Sequence, residues 1–182
     1  AFTSSAVACE LSSRVAAVAP VAGLQAFSWC RPKRPVPVVA FQGTTDPFVS
    51  YTGGPGPAAL KLPAPDGSKK TVGQELKTHP HASGNPLPPS IPTQVATWAK
   101  RNGCGSKPTK TQIASDVTRV TYPCAADSSV QFYVIKGGGH TWPGAPPGAF
   151  PVAVVGKTTT SISANQIIWN FFQAHPLTGR VG

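Results

Sequence analysis

The stretch GGGHTWPGAPPG, residues 137–148, runs three glycines straight into His140 and sets Trp142 two positions later. An imidazole on a freely turning backbone is the commonest carrier of general acid–base chemistry near neutral pH. A second sharp turn, GTTDP, puts Asp46 directly after the apolar run VPVVAF. A carboxylate on one loop and an imidazole on another is the arrangement that orients a base, because the Asp fixes the His tautomer and stabilises the imidazolium. Each residue alone has a plainer reading: an Asp before Pro is a common turn former, and one Gly-rich turn with a His is weak evidence. Their joint placement after two strands points to a single site, provided that the strands are neighbours. Trp142 reads either as the wall of an acyl or aromatic pocket beside His140 or as packing on the sheet. His79 and His81, in HPH, have the spacing of a metal pair but no acidic cluster nearby, so they read as a solvated loop. His175 reads as a partner of the last carbonyls of its helix.

The elements that must position these residues alternate between helix and strand signals. A helix is expected over 3–13, and RVAAVAPV (14–21) and VPVVAF (36–41) are short apolar runs of the kind found in buried parallel strands. Residues 53–91 are rich in Pro, Gly and Lys without periodicity, an irregular excursion long enough to suggest a functional segment. Order returns at IPTQVATWAKRNGC: Pro92 suits a first helical turn, Val95, Trp98 and Ala99 mark one face, and Asn102-Gly103 supplies the stop. VTRVTY (117–122), its valines expected on one face, and SVQFYVIK (129–136) read as strands. The last helix begins at Ser163, which forms a capping box with Gln166. Its apolar face is Ile167, Ile168, Phe171 and Phe172, and His175-Pro176 ends it. The fold class expected is α/β, a largely parallel sheet flanked by helices in one domain over 1–182. His140 and Asp46 would then stand at the C-terminal ends of strands, where open α/β sheets place their chemistry.

Composition limits the function classes. The chain has 182 residues, 40% of them hydrophobic, enough for one buried core. It has no apolar run of about eighteen residues, and its first ten residues lack the basic and apolar regions of a signal peptide; a soluble chain with no membrane partner is expected. The formal charge is +10. That surplus favours anionic surfaces, although the charges are scattered, as on an ordinary solvated surface, and basic runs interleaved with aromatics are absent, which argues against a specific nucleic-acid partner. Cys9, Cys30, Cys104 and Cys124 show no CxxC spacing. Sequence allows three pairings, or free thiols in a reducing compartment. The two sequential pairs are favoured, because each would staple a helix to a nearby loop or strand end, and they imply an oxidising compartment and secretion.

The segments ACELSSRVAAVAPVAG, CRPKRPVPVVAFQGTTDPFVSYTGG, IPTQVATWAKRNGC, DVTRVTYPC, GGGHTWPG and ANQIIWNFFQAHP, in this order, resemble the polyhydroxybutyrate depolymerase and feruloyl esterase branch of the α/β-hydrolase superfamily. The resemblance implies that Asp46 and His140 are the acid and histidine of a triad, that the fold is the C-terminal part of an α/β-hydrolase, and that no metal or organic cofactor is required. It implies hydrolysis of a carboxylic ester, of polyester or plant-polysaccharide type, through an acyl-enzyme. The sequence departs from that pattern in holding no G-x-S-x-G nucleophile elbow. The resemblance places Ala1 just past the elbow, so the serine is expected outside this chain, on a missing N-terminal half or a second chain, and the domain is incomplete without it. Ser4 and Ser5 would fall on the helix behind the elbow, and Gln42 stands where relatives often carry His. The alternative is a non-catalytic basic binding or structural module derived from a hydrolase.

Overall fold

The computed structural model describes residues 1–78 and 87–177. Its helices are α1 (Phe2–Glu10), α2 (Val72–Thr78), α3 (Ile91–Arg101), α4 (Val152–Val155) and α5 (Ala164–Ala174), and its strands are β1 (Val38–Gly43), β2 (Thr109–Ala114), β3 (Val117–Thr121) and β4 (Val130–Ile135). The fold is α/β, but the four-stranded sheet is mixed rather than largely parallel. Its order is β1-β4-β3-β2. Only β1 and β4 pair in parallel, from Val38 opposite Val130 to Gly43 opposite Ile135; β4–β3 and β3–β2 are antiparallel. The reason is connection length. A parallel neighbour needs a crossover of about a dozen residues or more, whereas β3 and β4 are joined by the short link holding the turn Ala126–Ser128. β2, a polar strand with no hydrophobic alternation to announce it, pairs only with β3 and is almost wholly exposed.

The run 14–21 does lie parallel to β1, through bridges Val18–Val38 and Val21–Phe41. Pro20 lacks an N–H and so interrupts the ladder, though its carbonyl still accepts from the Phe41 N–H at 3.1 Å. This segment forms the sheet's outer edge. Ala17 and Ala19, whose peptide groups alternate with those facing β1, make no backbone hydrogen bond on the other side among the described residues.

Every residue of β1 is buried because both faces of the sheet are covered. Val38 and Ala40 join Val130, Phe132 and Val120 in a core closed by Ala8 and Cys9 of α1 and by Ile91, Val95, Trp98 and Ala99 of α3. Val39 and Phe41 join Tyr133, Ile135 and Val117 against Ala164 and Phe171 of α5. Val117 and Val120 therefore point to opposite faces, not to one: three residues apart is an odd step in a period of two. Ser90 caps α3 by accepting from the Thr93 N–H, and Ser163 caps α5 by accepting from the Gln166 N–H. The Gln166 side chain does not close the box; it donates to Asn170 Oδ1 at 2.8 Å. Within the segment 53–91 the chain forms a short 3-10 turn, Ala59–Lys61, and α2.

Both sequential disulfides are present, Cys9–Cys30 and Cys104–Cys124. They fit an oxidising, extracellular setting. Among the described residues no helix is long and apolar enough to cross a membrane. Cys104–Cys124 ties the end of α3 to the end of β3 across a separation of 20 residues. Replacing both with Ser should lower the unfolding free energy by about 3 kcal/mol, read as a lower urea midpoint at unchanged slope; an unchanged midpoint would show that the bridge constrains nothing.

Candidate functional site

Because β1 and β4 are parallel neighbours, the loops that follow them leave the sheet side by side. Thr44 N–H donates to the Ile135 carbonyl at 2.9 Å and Thr45 N–H to the Gly138 carbonyl at 3.0 Å, while Gly137 N–H donates to Thr44 Oγ1 at 2.9 Å. The approach is so close that a Cβ on Gly43 would stand 2.2 Å from the Gly138 oxygen, and one on Gly139 would stand 2.0 Å from the Val155 oxygen. The glycine run thus turns the chain at Gly137, φ +70°, and then lets three loops touch.

This crossing brings Asp46 and His140 together. His140 Nδ1 lies 2.9 Å from Asp46 Oδ2. Since the facing atom is a carboxylate oxygen, Nδ1–H is the donor, and in the neutral ring Nε2 is the acceptor. Asp46 is only 4% exposed. Four donors converge on it: Oδ1 accepts from the Phe48 and Val49 N–H groups at 2.8 and 2.9 Å, and Oδ2 accepts from Gln42 Nε2 at 2.8 Å as well as from His140. A buried carboxylate held this way has no freedom to turn from the imidazole. Phe48 meets the His140 ring edge-on at 5.3 Å, and the His140 N–H is fixed by the Val155 carbonyl. The His140 side chain keeps 37% of its surface open.

Over 137 residues, 72% of its length, the chain is 29% identical to feruloyl esterase B of Piromyces equi and covers 21% of that protein. The chain is distantly similar to a feruloyl esterase. It spans about a fifth of that relative, and no family model matches the chain. This similarity relates the chain to esterases at most.

Three residues around the Asp46–His140 pair were not legible as its partners in the sequence. Gln42, read only as a departure from the family pattern, is buried and donates its amide both to Asp46 and to the Val49 carbonyl at 3.1 Å. Its orientation follows from facing two acceptors, which leaves its own Oε1 buried without a partner. Phe48 and Val49, which directly follow the Asp46 turn, also line an apolar cavity of about 270 Å³ with Phe2, Pro55, Pro88 and Ile91. Only the position of Asp46 just before them hints at this in the sequence.

Trp142 is elsewhere. It donates Nε1–H to Asn165 Oδ1 at 2.8 Å and lines a larger apolar groove of about 620 Å³, between α1 and α5 along residues 15–19. Neither Asp46 nor His140 lines that groove. Ser4 is also on its wall, and the Ser5 hydroxyl is committed to the Ala1 carbonyl and the Gln25 N–H. No serine among the described residues hydrogen-bonds to His140. His175 Nδ1 accompanies the Phe171 carbonyl at 2.7 Å at the end of α5, as expected; His79 and His81 lie outside the described residues.

The Gly43–Gly138 crossing is the most sensitive point of the dyad. Gly43→Ala should lower the unfolding free energy by about 2 kcal/mol or more, because the added carbon meets a backbone oxygen that cannot swing away. Chemical denaturation measures this, and a loss below about 0.5 kcal/mol would show that the loops part easily.

Proposed function

We propose that this chain supplies the acid and the histidine of a serine-type carboxylic ester hydrolase, with the nucleophilic serine carried outside these 182 residues. The observation that carries the proposal is the buried, four-donor Asp46 holding His140 with Nε2 free and the ring partly open. In this reading His140 takes the proton from the serine as it attacks the ester carbonyl and returns it to the leaving alcohol. Water then enters by the same route to release the acid. The cavity beside Phe48 and Val49 would hold an apolar acyl group, and the esterase similarity supports that class of reaction.

Two features support a serine reaching His140 from outside these residues. A Cβ on Gly23 would lie 3.3 Å from Ala1 and Phe2 and 3.6 Å from Val49, so the start of α1 stands beside the loop that holds Asp46. A serine on a turn leading into α1 would arrive next to His140, with the N–H groups of the helix's first turn available to the oxyanion. The open edge at Ala17 and Ala19, floored by the apolar groove, suits a further strand leading to that turn, from the same polypeptide or a second one.

The test uses the protein with its nucleophile-bearing segment and a chromogenic ester. His140→Ala should lower kcat/KM by roughly a thousandfold or more, and Asp46→Asn by a comparable factor. Gln42→Ala, which loosens the carboxylate without removing it, should cost roughly ten- to a hundredfold. Absence of turnover in the parent protein, with ligand binding untouched by His140→Ala, would favour the non-catalytic binding module instead.

A further inference from the structure

A second cluster of chemistry lies at the opposite end of β1 from Asp46. The connector CRPKRP before the strand folds over Arg101 of α3 to form a pocket of about 390 Å³, lined by Arg31, Lys33, Arg34 and Arg101 together with Cys30 and prolines. No carboxylate lines it, and none of the four cations makes an ion pair among the described residues. Like charges crowded without counter-charge repel one another, so the fold must hold them in place by other means.

It does so with neutral acceptors. Arg31 Nη1 donates to the Ser28 and Cys30 carbonyls at 2.7 and 2.9 Å, Arg34 donates to the Val15, Ala16 and Pro35 carbonyls, and Arg101 Nη2 donates to the Phe27 carbonyl at 2.9 Å. The Arg101 guanidinium also rests 4.8 Å over the Trp98 ring. Two donors, Arg101 Nη1 and Arg34 Nε, are buried and unpaired. Burial first, then the Arg31 charge, pull the Arg101 pKa below the usual arginine value. The Cys9–Cys30 disulfide and the fixed φ of Pro32 and Pro35 make the loop rigid before any ligand arrives. A bound anion would supply the missing charge, met first by the exposed head groups of Arg31 and Lys33.

The same loop carries a flat apolar platform. Trp29 is 49% exposed and stacks on Phe27 at 4.7 Å, and Phe27 is the residue whose carbonyl anchors Arg101. An exposed indole face beside a rigid cationic pocket matches a ligand that alternates a ring with apolar C–H faces and an anionic substituent. We propose that residues 27–35 and Arg101 form a binding site for a polysaccharide whose sugar rings carry carboxylates, Trp29 stacking on one ring while the guanidinium groups take a neighbouring carboxylate. The six residues of β1 separate this site from the Asp46 turn by roughly 20 Å. It is therefore distinct from the Asp46 turn, and it does not depend on the ester-hydrolase reading. A nucleic acid offers rings and anions too, but the two disulfides fit an oxidising compartment outside the cytosol and nucleus.

The probes are polygalacturonate, neutral dextran and poly(dT), titrated calorimetrically at low and high salt. Arg31 and Lys33 are exposed, and so are Lys107 and Lys110. The double reversals Arg31→Glu/Lys33→Glu and Lys107→Glu/Lys110→Glu therefore change the net charge equally at two different places. The proposal expects binding of polygalacturonate but not dextran, about a tenfold or greater loss for the Arg31/Lys33 pair, and no loss for the Lys107/Lys110 pair. Trp29→Ala should weaken binding severalfold. If the reversal lowers the thermal midpoint, the milder pair Arg31→Gln/Lys33→Gln is read in its place. Equal losses from the two charge pairs, no effect of Trp29→Ala, equal or tighter binding of poly(dT), or no binding of polygalacturonate would each overturn the assignment.

Discussion

The contact on which the rest depends is the crossing of two loops at the C-terminal ends of β1 and β4, where Gly43 and Gly138 touch backbone to backbone. Parallel pairing of the strands fixes the direction in which both loops leave the sheet, and the register of Gly43 opposite Ile135 fixes how far each has travelled. The hydrogen bonds from Thr44 and Thr45 to the Ile135 and Gly138 carbonyls then remove the remaining freedom. Asp46 and His140 are 94 residues apart in the chain, yet they meet at 2.9 Å because this crossing leaves little alternative. The carboxylate is buried, and its other three donors come from its own turn and from Gln42 on β1. Each loop thus positions the other, and neither would hold its half of the Asp46–His140 pair alone.

Turn chemistry made the dyad legible. GTTDP and GGGH are punctuation strong enough to mark strand ends, and two strand ends in one α/β sheet are a short list of places to look. The amphipathic faces of α3 and α5, with Val95, Trp98 and Phe171 inward, followed from helical period, and the sequential disulfides from proximity. Strand direction did not follow from any of this. Apolar runs such as SVQFYVIK announce a buried strand but not its neighbour's sense, and the short link before it, which forces β3 antiparallel, was the signal to weigh. β2 is exposed on both faces and its sequence TKTQIA has no apolar alternation, so no periodicity could reveal it. Gln42 and Phe48 escaped notice as partners of the dyad because their roles arise from where the chain folds back after Asp46, not from their spacing.

The surface divides into three regions with different physical demands. The corner holding His140 is partly open and carries an apolar cavity beside Phe48. The outer edge at Ala17 and Ala19 offers peptide groups that have no backbone partner among the described residues, over an apolar groove. The CRPKRP loop is rigid and cationic, with charges held by carbonyls instead of acids. The +10 charge of the chain is therefore not spread evenly in effect: four of its cations share one pocket that no carboxylate among the described residues lines, while Asp46 is fully engaged.

The central claim is that the Asp46–His140 dyad serves a serine lying outside residues 1–182. The most direct test labels the protein, as its source organism makes it, with a fluorophosphonate and maps the adduct by peptide mass spectrometry. The account predicts one labelled serine outside these residues, with labelling lost in His140→Ala. An adduct on Ser4, Ser5 or any other serine of this chain, or ester hydrolysis that persists with no adduct formed, would contradict it.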